Sequence, residues 1–291
     1  MADFATTLNK LWPNGDRKVR GLRAGIIASA PTVFAKYGVR DPLVLAHIMA
    51  QISHECGAGH DVVENLSYTA TRMTQVWPSR FPTVASAEPY ARNPRALANK
   101  VYNGRMGNRV GSGDGYRFLG RGGSQTTGRE GYERVKKQTG LDVVNNPDIL
   151  IDPKHFLECA VSDFVNCGCM PYAKRDDIMS VTKRLNGGYV GLPSRKAWLA
   201  KWKAAAVPVP DASGFVPVAP TPAKTEAKPA QKPEAKPSGG KKAATAVVVS
   251  GAVAAQQAHS WGFSSGVIVG VVVAALIVGV IGFLAWRAKK A

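Results

Sequence analysis

The strongest constraint in this sequence is a predicted helix that ends abruptly, after which the chain has to reverse its direction. Asp41 and Pro42 supply an N-cap residue and a proline at the first helical position, and apolar residues then recur at helical spacing up to Glu55. Gly57 and Gly59 follow at once. Because glycines end helices and permit tight returns, the sequence predicts a helix with a buried face that ends near Glu55, followed by a reversal of the chain.

The reversal determines the position of a second glutamate, Glu64, which lies nine residues after Glu55 in the sequence. If the helix continued instead, the two carboxylates would lie about 13 Å apart along its axis. After a tight return, Glu64 can face Glu55 across a cleft. Two facing carboxylates are the minimum equipment for hydrolysing a glycosidic bond. Two surface charges at a helix end are the alternative interpretation, and the spacing alone leaves both open.

Metal and nucleotide sites are not expected here. A metalloprotease motif needs two histidines four residues apart on one helix face, whereas His54 and His60 are six apart with glycines between them. Segment 104–123 has eight glycines in twenty residues, but it does not fit the dinucleotide fingerprint and no apolar strand precedes it. We therefore expect no cofactor and no metal, and interpret these glycines as backbone brought close to a ligand or to other backbone.

Helical patterns dominate residues 1–205, and long alternating strand patterns are missing. Helices are predicted before the turn at 13–15, up to Tyr37, over 42–55, up to Trp77, over 88–102, up to Thr139, and over 153–165, 176–185 and 195–205. We predict a mainly α catalytic domain in which glycine-rich loops line a cleft. The cysteines lack zinc spacing and are expected to be reduced, buried thiols; they are Cys56, Cys159, Cys167 and Cys169.

The composition changes from about residue 207. Residues 206–245 are rich in proline, alanine and lysine and read as an extended linker, and residues 246–265 form a segment of small residues. Segment 266–286 has no charged residue over 21 positions, long enough to cross a bilayer as a helix, and 287–291 form a basic tail. The alternative, a buried core helix, is not favoured because no domain follows residue 205. We predict one C-terminal transmembrane helix.

The formal net charge is +18 and the sequence pI is about 10.0. Such a chain favours a polyanionic neighbour, whether nucleic acid, anionic lipid or an acidic cell-wall polymer. A generally basic surface without a specific partner would account for the same charge.

Six segments in order resemble glycoside hydrolase family 19, the chitinase-like lysozymes common among phage endolysins. They are AHIMAQISHE, VVENLSYTA, YARNPRALANKVYNGRMGN, SGDGYRFLGRG, QTTGR and LNGG, with Arg195 downstream, and they span roughly residues 40–200. The resemblance implies a lysozyme/chitinase-like helical fold and an inverting mechanism.

The resemblance also implies roles for individual residues. Glu55 would be the general acid, Glu64 the general base, and Thr127 the residue that holds the attacking water with Glu64. Four positions match residues that bind sugar or support the carboxylates in the family: Tyr68, Gln125, Asn186 and Arg195. An acid has to stay protonated near neutral pH, so Glu55 is expected to be the more desolvated carboxyl, with Glu64 ionised.

Three departures from the family pattern bear on cleft polarity and substrate preference. Leu119 stands where the family usually has an arginine, Gly123-Ser124 replaces an apolar pair, and Gly131 replaces an asparagine that often contacts sugar. Glu55, Glu64 and Thr127 are unaffected.

The resulting expectation is a phage-type endolysin that hydrolyses β-1,4 bonds of bacterial peptidoglycan. A chitinase is the alternative within the class, and a non-catalytic glycan-binding or virion structural protein is the alternative outside it. The expected partners are peptidoglycan and, through the C-terminal helix, a membrane, but not nucleic acid. A basic protein with a membrane tail suits an anionic wall better than neutral chitin.

The membrane orientation rests on conflicting signals. Basic residues after the span favour a cytoplasmic C-terminus, which would place the catalytic domain outside. The first 15 residues contain no apolar core long enough for a secretory signal. We therefore expect a membrane-anchored protein whose catalytic domain is cytoplasmic before lysis and reaches the wall once a holin or similar lesion breaches the membrane.

Overall fold

A computed structural model describes residues 2–211, which form two compact units. One comprises residues 2–67 and 92–211, and the other comprises residues 68–91. The α-helices are α1 (Phe4–Leu11), α2 (Leu22–Lys36), α3 (Pro42–Glu55), α4 (Ala70–Val76), α5 (Val84–Ala87), α6 (Pro94–Tyr102), α7 (Asp114–Arg117), α8 (Arg129–Thr139), α9 (Phe156–Asn166), α10 (Met170–Ala173), α11 (Ile178–Asn186) and α12 (Leu192–Ala205). Three 3-10 helices cover Gly57–Gly59, Glu88–Tyr90 and Pro147–Ile151. The predicted mainly α fold is confirmed.

Helix α3 lies at the centre of the larger unit. The Asp41 carboxylate accepts the Leu43 N–H at 2.8 Å, so the predicted cap forms, and the helix ends at Glu55 as expected. Helix α12 packs along α3. The Ser53 hydroxyl of α3 accepts hydrogen bonds from two buried indoles, at 2.9 Å from Trp12 and 3.1 Å from Trp202. These bonds tie α1 and α12 to the helix that carries Glu55.

The predicted helix over 88–102 is confirmed only from Pro94 onward, and its first part is wrong. The chain forms a 3-10 turn at Glu88–Tyr90, adopts a left-handed backbone at Arg92 (φ 52°), and begins α6 at Pro94. The residue before a proline avoids the helical region, and the Asn93 side chain accepts the Ala96 N–H at 3.1 Å as the new N-cap. Residues 88–102 therefore contain a helix start in their middle.

The smaller unit, residues 68–91, contains α4, α5 and the 3-10 turn at Glu88–Tyr90. Neighbouring aromatic rings hold it together: Tyr68 lies edge-on to Trp77, and Trp77 edge-on to Phe81, at centroid distances of 5.3 and 6.4 Å. The Thr83 hydroxyl and Ser86 cap α5 reciprocally.

Two further predictions concern cysteines and the membrane. All four cysteines are buried and free, as expected. Within residues 2–211 no helix has the length and apolar character that crossing a membrane requires. The predicted linker from residue 212 onward, the transmembrane segment 266–286 and the basic tail lie outside the described residues.

Candidate active site

Glu64 is held by a small set of antiparallel backbone bridges. Val63 bridges to Arg121, and Arg121 bridges in turn to Thr126. The Glu64 N–H donates to the Gly120 carbonyl at 2.8 Å. These bonds bring the chain after the glycine return alongside the segment that contains Thr127.

Three of the sequence-predicted side chains converge around Gly120. A Cβ atom at this position would lie 2.8 Å from Gln125 Oε1, 3.3 Å from Thr127 Oγ1 and 3.4 Å from Glu64 Cβ. Residue 120 therefore has little room for a side chain, and its glycine lets the carboxylate, the hydroxyl and the amide share one small space.

The Glu64 carboxylate accepts two hydrogen bonds. Tyr102 donates its hydroxyl to Oε1 at 2.6 Å, and the Gly120 N–H donates to Oε2 at 3.3 Å. Burial raises the pKa of Glu64, and these two bonds offset that rise only in part. A carboxyl with a raised pKa is a stronger base once ionised, which suits a group that takes a proton from water.

The hydroxyl proton of Thr127 is held in one direction by a hydrogen bond. Its hydroxyl donates to the Gln125 carbonyl at 2.8 Å. With that proton committed, the lone pairs of Thr127 Oγ1 remain available to accept a hydrogen bond. A water between Thr127 and Glu64 could then donate one proton to each and direct its own lone pair outward.

Glu55, the last residue of α3, is held by a buried arginine. Arg195 on α12 is 1% exposed; its Nη2 donates to Glu55 Oε1 at 2.8 Å and its Nε to the Val190 carbonyl at 3.3 Å. Its remaining terminal nitrogen donates to Gln51. One guanidinium thus fixes the Glu55 carboxylate, another residue of α3 and the loop before α12.

The two carboxyls lie in different surroundings. The Glu55 side chain is 14% exposed and faces a cation, whereas burial raises the pKa of Glu64. The expectation that Glu55 is the more desolvated carboxyl stays a prediction. Arg195 and Tyr102 approach from helices remote in sequence, so the two environments could not be read from residue spacing.

His54, the residue before Glu55, is a half-buried and uncharged neighbour of the site. Its Nδ1 lies 3.0 Å from the Ser194 hydroxyl, and the Gly191 backbone packs directly on its ring, where a Cβ would lie 2.3 Å from Nε2. Burial, together with the nearby Arg195 charge, lowers the pKa of His54 to about 4. The imidazole is therefore neutral near neutral pH and acts as a packing surface beside the carboxylate.

The other predicted sugar-binding residues lie in different parts of the structure. Gln125 has a left-handed backbone (φ 47°), and its amide nitrogen donates to the Asp61 carbonyl, so the side chain also ties the return loop to the site. Asn186 is the half-buried last residue of α11. Tyr68 belongs to the unit 68–91. The expected sugar contacts of all three stay predictions.

Sequence reasoning missed Tyr102, the residue with the shortest bond to Glu64. The residue lies in the YNGRMGN part of a segment that matched the family, at the end of α6. An aromatic hydroxyl next to a glycine-rich loop was the available signal, but its partner lies 38 residues away in the chain.

The three departures from the family pattern fall at buried positions. Leu119 is 3% exposed, and a Cβ at Gly123 would lie 2.9 Å from the Ala160 side chain. The Ser124 hydroxyl donates to the Ala160 carbonyl at 3.2 Å. Gly131 is buried, and a Cβ at this position would lie 3.2 Å from the Thr126 methyl. Gly123 and Ser124 thus pack against α9, and Gly131, on α8, packs against Thr126. The effect of these departures on substrate preference stays a prediction.

No cluster of three or more histidine, cysteine, aspartate or glutamate side chains capable of holding a metal occurs within residues 2–211. The side chains of the site carry carboxyl, hydroxyl, amide and guanidinium groups. A helical domain with one carboxylate beside an arginine and another beside two hydroxyl groups has the equipment of a glycoside hydrolase.

Comparison with known proteins identifies the family. No family model matches the chain. A "Glycosyl hydrolase family 19 domain-containing protein" of Haemophilus influenzae is 32% identical over 191 residues, which cover 65% of this chain and 90% of that protein. The chain therefore belongs to glycosyl hydrolase family 19 and is a glycoside hydrolase.

Two solved structures also resemble the chain. Chitinase C from Streptomyces griseus has a TM-score of 0.46 at 15% identity, covering 71% of this chain and 94% of that one. A mutant of chitinase C gives a TM-score of 0.47 at 13% identity, covering 72% and 95%.

Proposed function

We propose that this enzyme hydrolyses β-1,4-glycosidic bonds of bacterial peptidoglycan with Glu55 as general acid and Glu64 as general base. The observation that carries the proposal is the convergence of Glu64, Thr127 and Gln125 on Gly120, with Glu55 held by Arg195 at the other end of the return loop. The arrangement supplies an ionisable group for each of the two proton transfers that hydrolysis requires.

The proposed reaction is a direct displacement. A water held by Thr127 and Glu64 attacks the anomeric carbon and transfers a proton to the Glu64 carboxylate. The glycosidic C–O bond breaks as Glu55 donates its proton to the departing sugar oxygen. Because Oε1 of Glu64 accepts the Tyr102 hydroxyl at 2.6 Å, we assign the proton-accepting role to Oε2, on the Gly120 side.

Tyr102 positions Glu64 in this scheme, and Tyr102→Phe tests that role. The hydroxyl stabilises the ionised carboxylate, so its loss should raise the pKa of Glu64 further. Because the base works only when ionised, the acidic limb of the kcat/KM profile should move to higher pH. We also expect kcat near neutral pH to fall by roughly tenfold, within the range of acid–base contributions.

Tyr116→Phe is the matched control, since Tyr116 is a 40% exposed tyrosine on α7. Tyr132 also lies near Glu64, but burial raises the pKa of Tyr132 to about 12, so it does not titrate on the acidic limb. An unshifted acidic limb in Tyr102→Phe would show that the bond is only structural.

The substrate assignment follows from charge. A chain with net charge +18 suits the anionic bacterial wall better than neutral chitin. The test is reducing-end release by the full chain from purified peptidoglycan and from chitin oligomers at equal sugar concentration. Faster release from peptidoglycan is expected; release from chitin alone would make the enzyme a chitinase, and release from neither would defeat the proposal.

The biological setting we propose is that of a membrane-tethered endolysin. Segment 266–286 would anchor the chain, with the catalytic domain cytoplasmic until a holin or similar lesion opens the membrane. The full chain should sediment with membranes and resist protease added outside intact spheroplasts. Digestion of the catalytic domain in intact spheroplasts would instead place it outside from the start.

A further inference from the structure

The turn between α1 and α2 carries an unneutralised cluster of positive charge. Arg17, Lys18 and Arg20 are all exposed and fall within four residues. Within residues 2–211 none of the three forms an ion pair; Asp16, the acidic residue of the same turn, is bound to Arg23 at 2.7 Å. We call residues 17–20 the basic turn.

The segment that leads into the basic turn packs on the loop that joins the two candidate catalytic carboxylates. Gly59, in that loop, packs on Gly15, so closely that a Cβ on Gly59 would lie 2.5 Å from the Gly15 carbonyl oxygen. Gly15 in turn packs on the Arg23 side chain: a Cβ atom on Gly15 would lie 3.0 Å from the Arg23 side-chain carbons. The backbone that leads into the basic turn therefore touches the backbone between Glu55 and Glu64.

The electrostatic field of the basic turn also reaches this loop. Burial raises the pKa of Asp61, but the positive charge of Lys18 acts in the opposite direction. The Asp61 carbonyl accepts the Gln125 amide, which belongs to the Gly120 site. Lys18 is thus near enough to influence a residue bonded directly to the site.

The local charge balance favours an anion. Asp16 and Asp61 offset two of the four cations on this part of the surface, namely Arg17, Lys18, Arg20 and Arg23. Two positive charges remain after this offset. Peptidoglycan strands carry peptide stems with free carboxylates on alternate sugars, whereas chitin carries no such groups.

We propose that the basic turn binds the carboxylates of peptide stems and so makes this site selective for stem-bearing peptidoglycan over bare glycan. The proposal rests on the function proposed above and extends it from the bond that is cut to the side groups that are recognised. Exposed cations attract such carboxylates with modest strength, in a manner that salt screens.

Binding can be separated from hydrolysis by working in the full chain with Glu55→Gln. Its affinity is measured by calorimetry for soluble peptidoglycan fragments with intact stems and for the same fragments after an amidase has removed the stems. We expect the intact fragments to bind about five- to thirtyfold more tightly at low salt. Adding R17A, K18A and R20A should abolish that difference without weakening binding to the stripped fragments.

A matched control removes the same charge elsewhere. Lys137, Lys154 and Lys174 are exposed and form no ion pairs within the described part of the chain, so K137A, K154A and K174A together should preserve the preference for intact stems. The proposal is overturned if the basic-turn variant retains that preference, if it loses affinity equally for both fragments, or if the control triple behaves in the same way. None of these results depends on turnover, which separately tests the proposed hydrolysis.

Discussion

Glu64→Gln should lose peptidoglycan hydrolysis by about 10²–10⁴-fold while keeping the fold. The amide is nearly isosteric: its oxygen can still accept the Gly120 N–H, and its NH2 group can donate to the Tyr102 hydroxyl oxygen, but it cannot take a proton from water. Reducing-end release gives the rate, and circular dichroism with thermal melting checks the fold. Glu133→Gln, at a half-exposed glutamate on α8, is the control and should match wild type.

Glu55→Gln should lose a similar amount on natural glycan, because the departing sugar then receives no proton. The two variants should differ on a glycan with a dinitrophenyl leaving group, which departs without protonation. Glu55→Gln should recover much of the wild-type rate on that substrate, and Glu64→Gln should not. Recovery by Glu64→Gln instead would mean that the acid and base roles are reversed.

Arg195→Ala should produce the second large effect, on stability and activity together. The guanidinium is buried, and its removal leaves Glu55 and Gln51 without the partner they share. Removing one partner of a buried ion pair typically costs about 3–5 kcal/mol, and each kcal/mol lowers Tm by about 2–4 °C in a domain of this size. We therefore expect Tm to fall by about 10 °C and hydrolysis to be nearly lost.

Lys196→Ala is the control for this change, since Lys196 is the exposed neighbour on the same helix. Arg195→Lys should recover part of the stability but less of the activity, because one ammonium cannot reproduce three directed bonds. A melting temperature within about 2 °C of wild type for Arg195→Ala would contradict the claim that this buried guanidinium stabilises the fold.

Local sequence signals were enough for the helix that carries Glu55. Its cap, its proline and its terminating glycines all act within a few residues, and α3 has the predicted bounds. The same kind of reasoning failed over 88–102, where the helical pattern outweighed the signal of Asn93-Pro94.

The environments of the carboxyls depend on contacts distant in sequence. Arg195 lies 140 residues from Glu55, and Tyr102 lies 38 residues from Glu64. No spacing rule predicts such pairs, and they decide which carboxyl faces a cation and which faces a hydroxyl. The resemblance named the site residues, but the burial that raises the pKa of Glu64 follows from the fold.

Proton NMR of the first sugar released is the most direct test of the mechanism. If water held between Glu64 and Thr127 attacks opposite the departing sugar, the β-linked substrate must yield the α anomer before mutarotation. We expect an initial α signal that decays toward the equilibrium mixture. An initial β signal would show retention through a covalent intermediate and would contradict the two-carboxylate, single-displacement mechanism proposed for this enzyme.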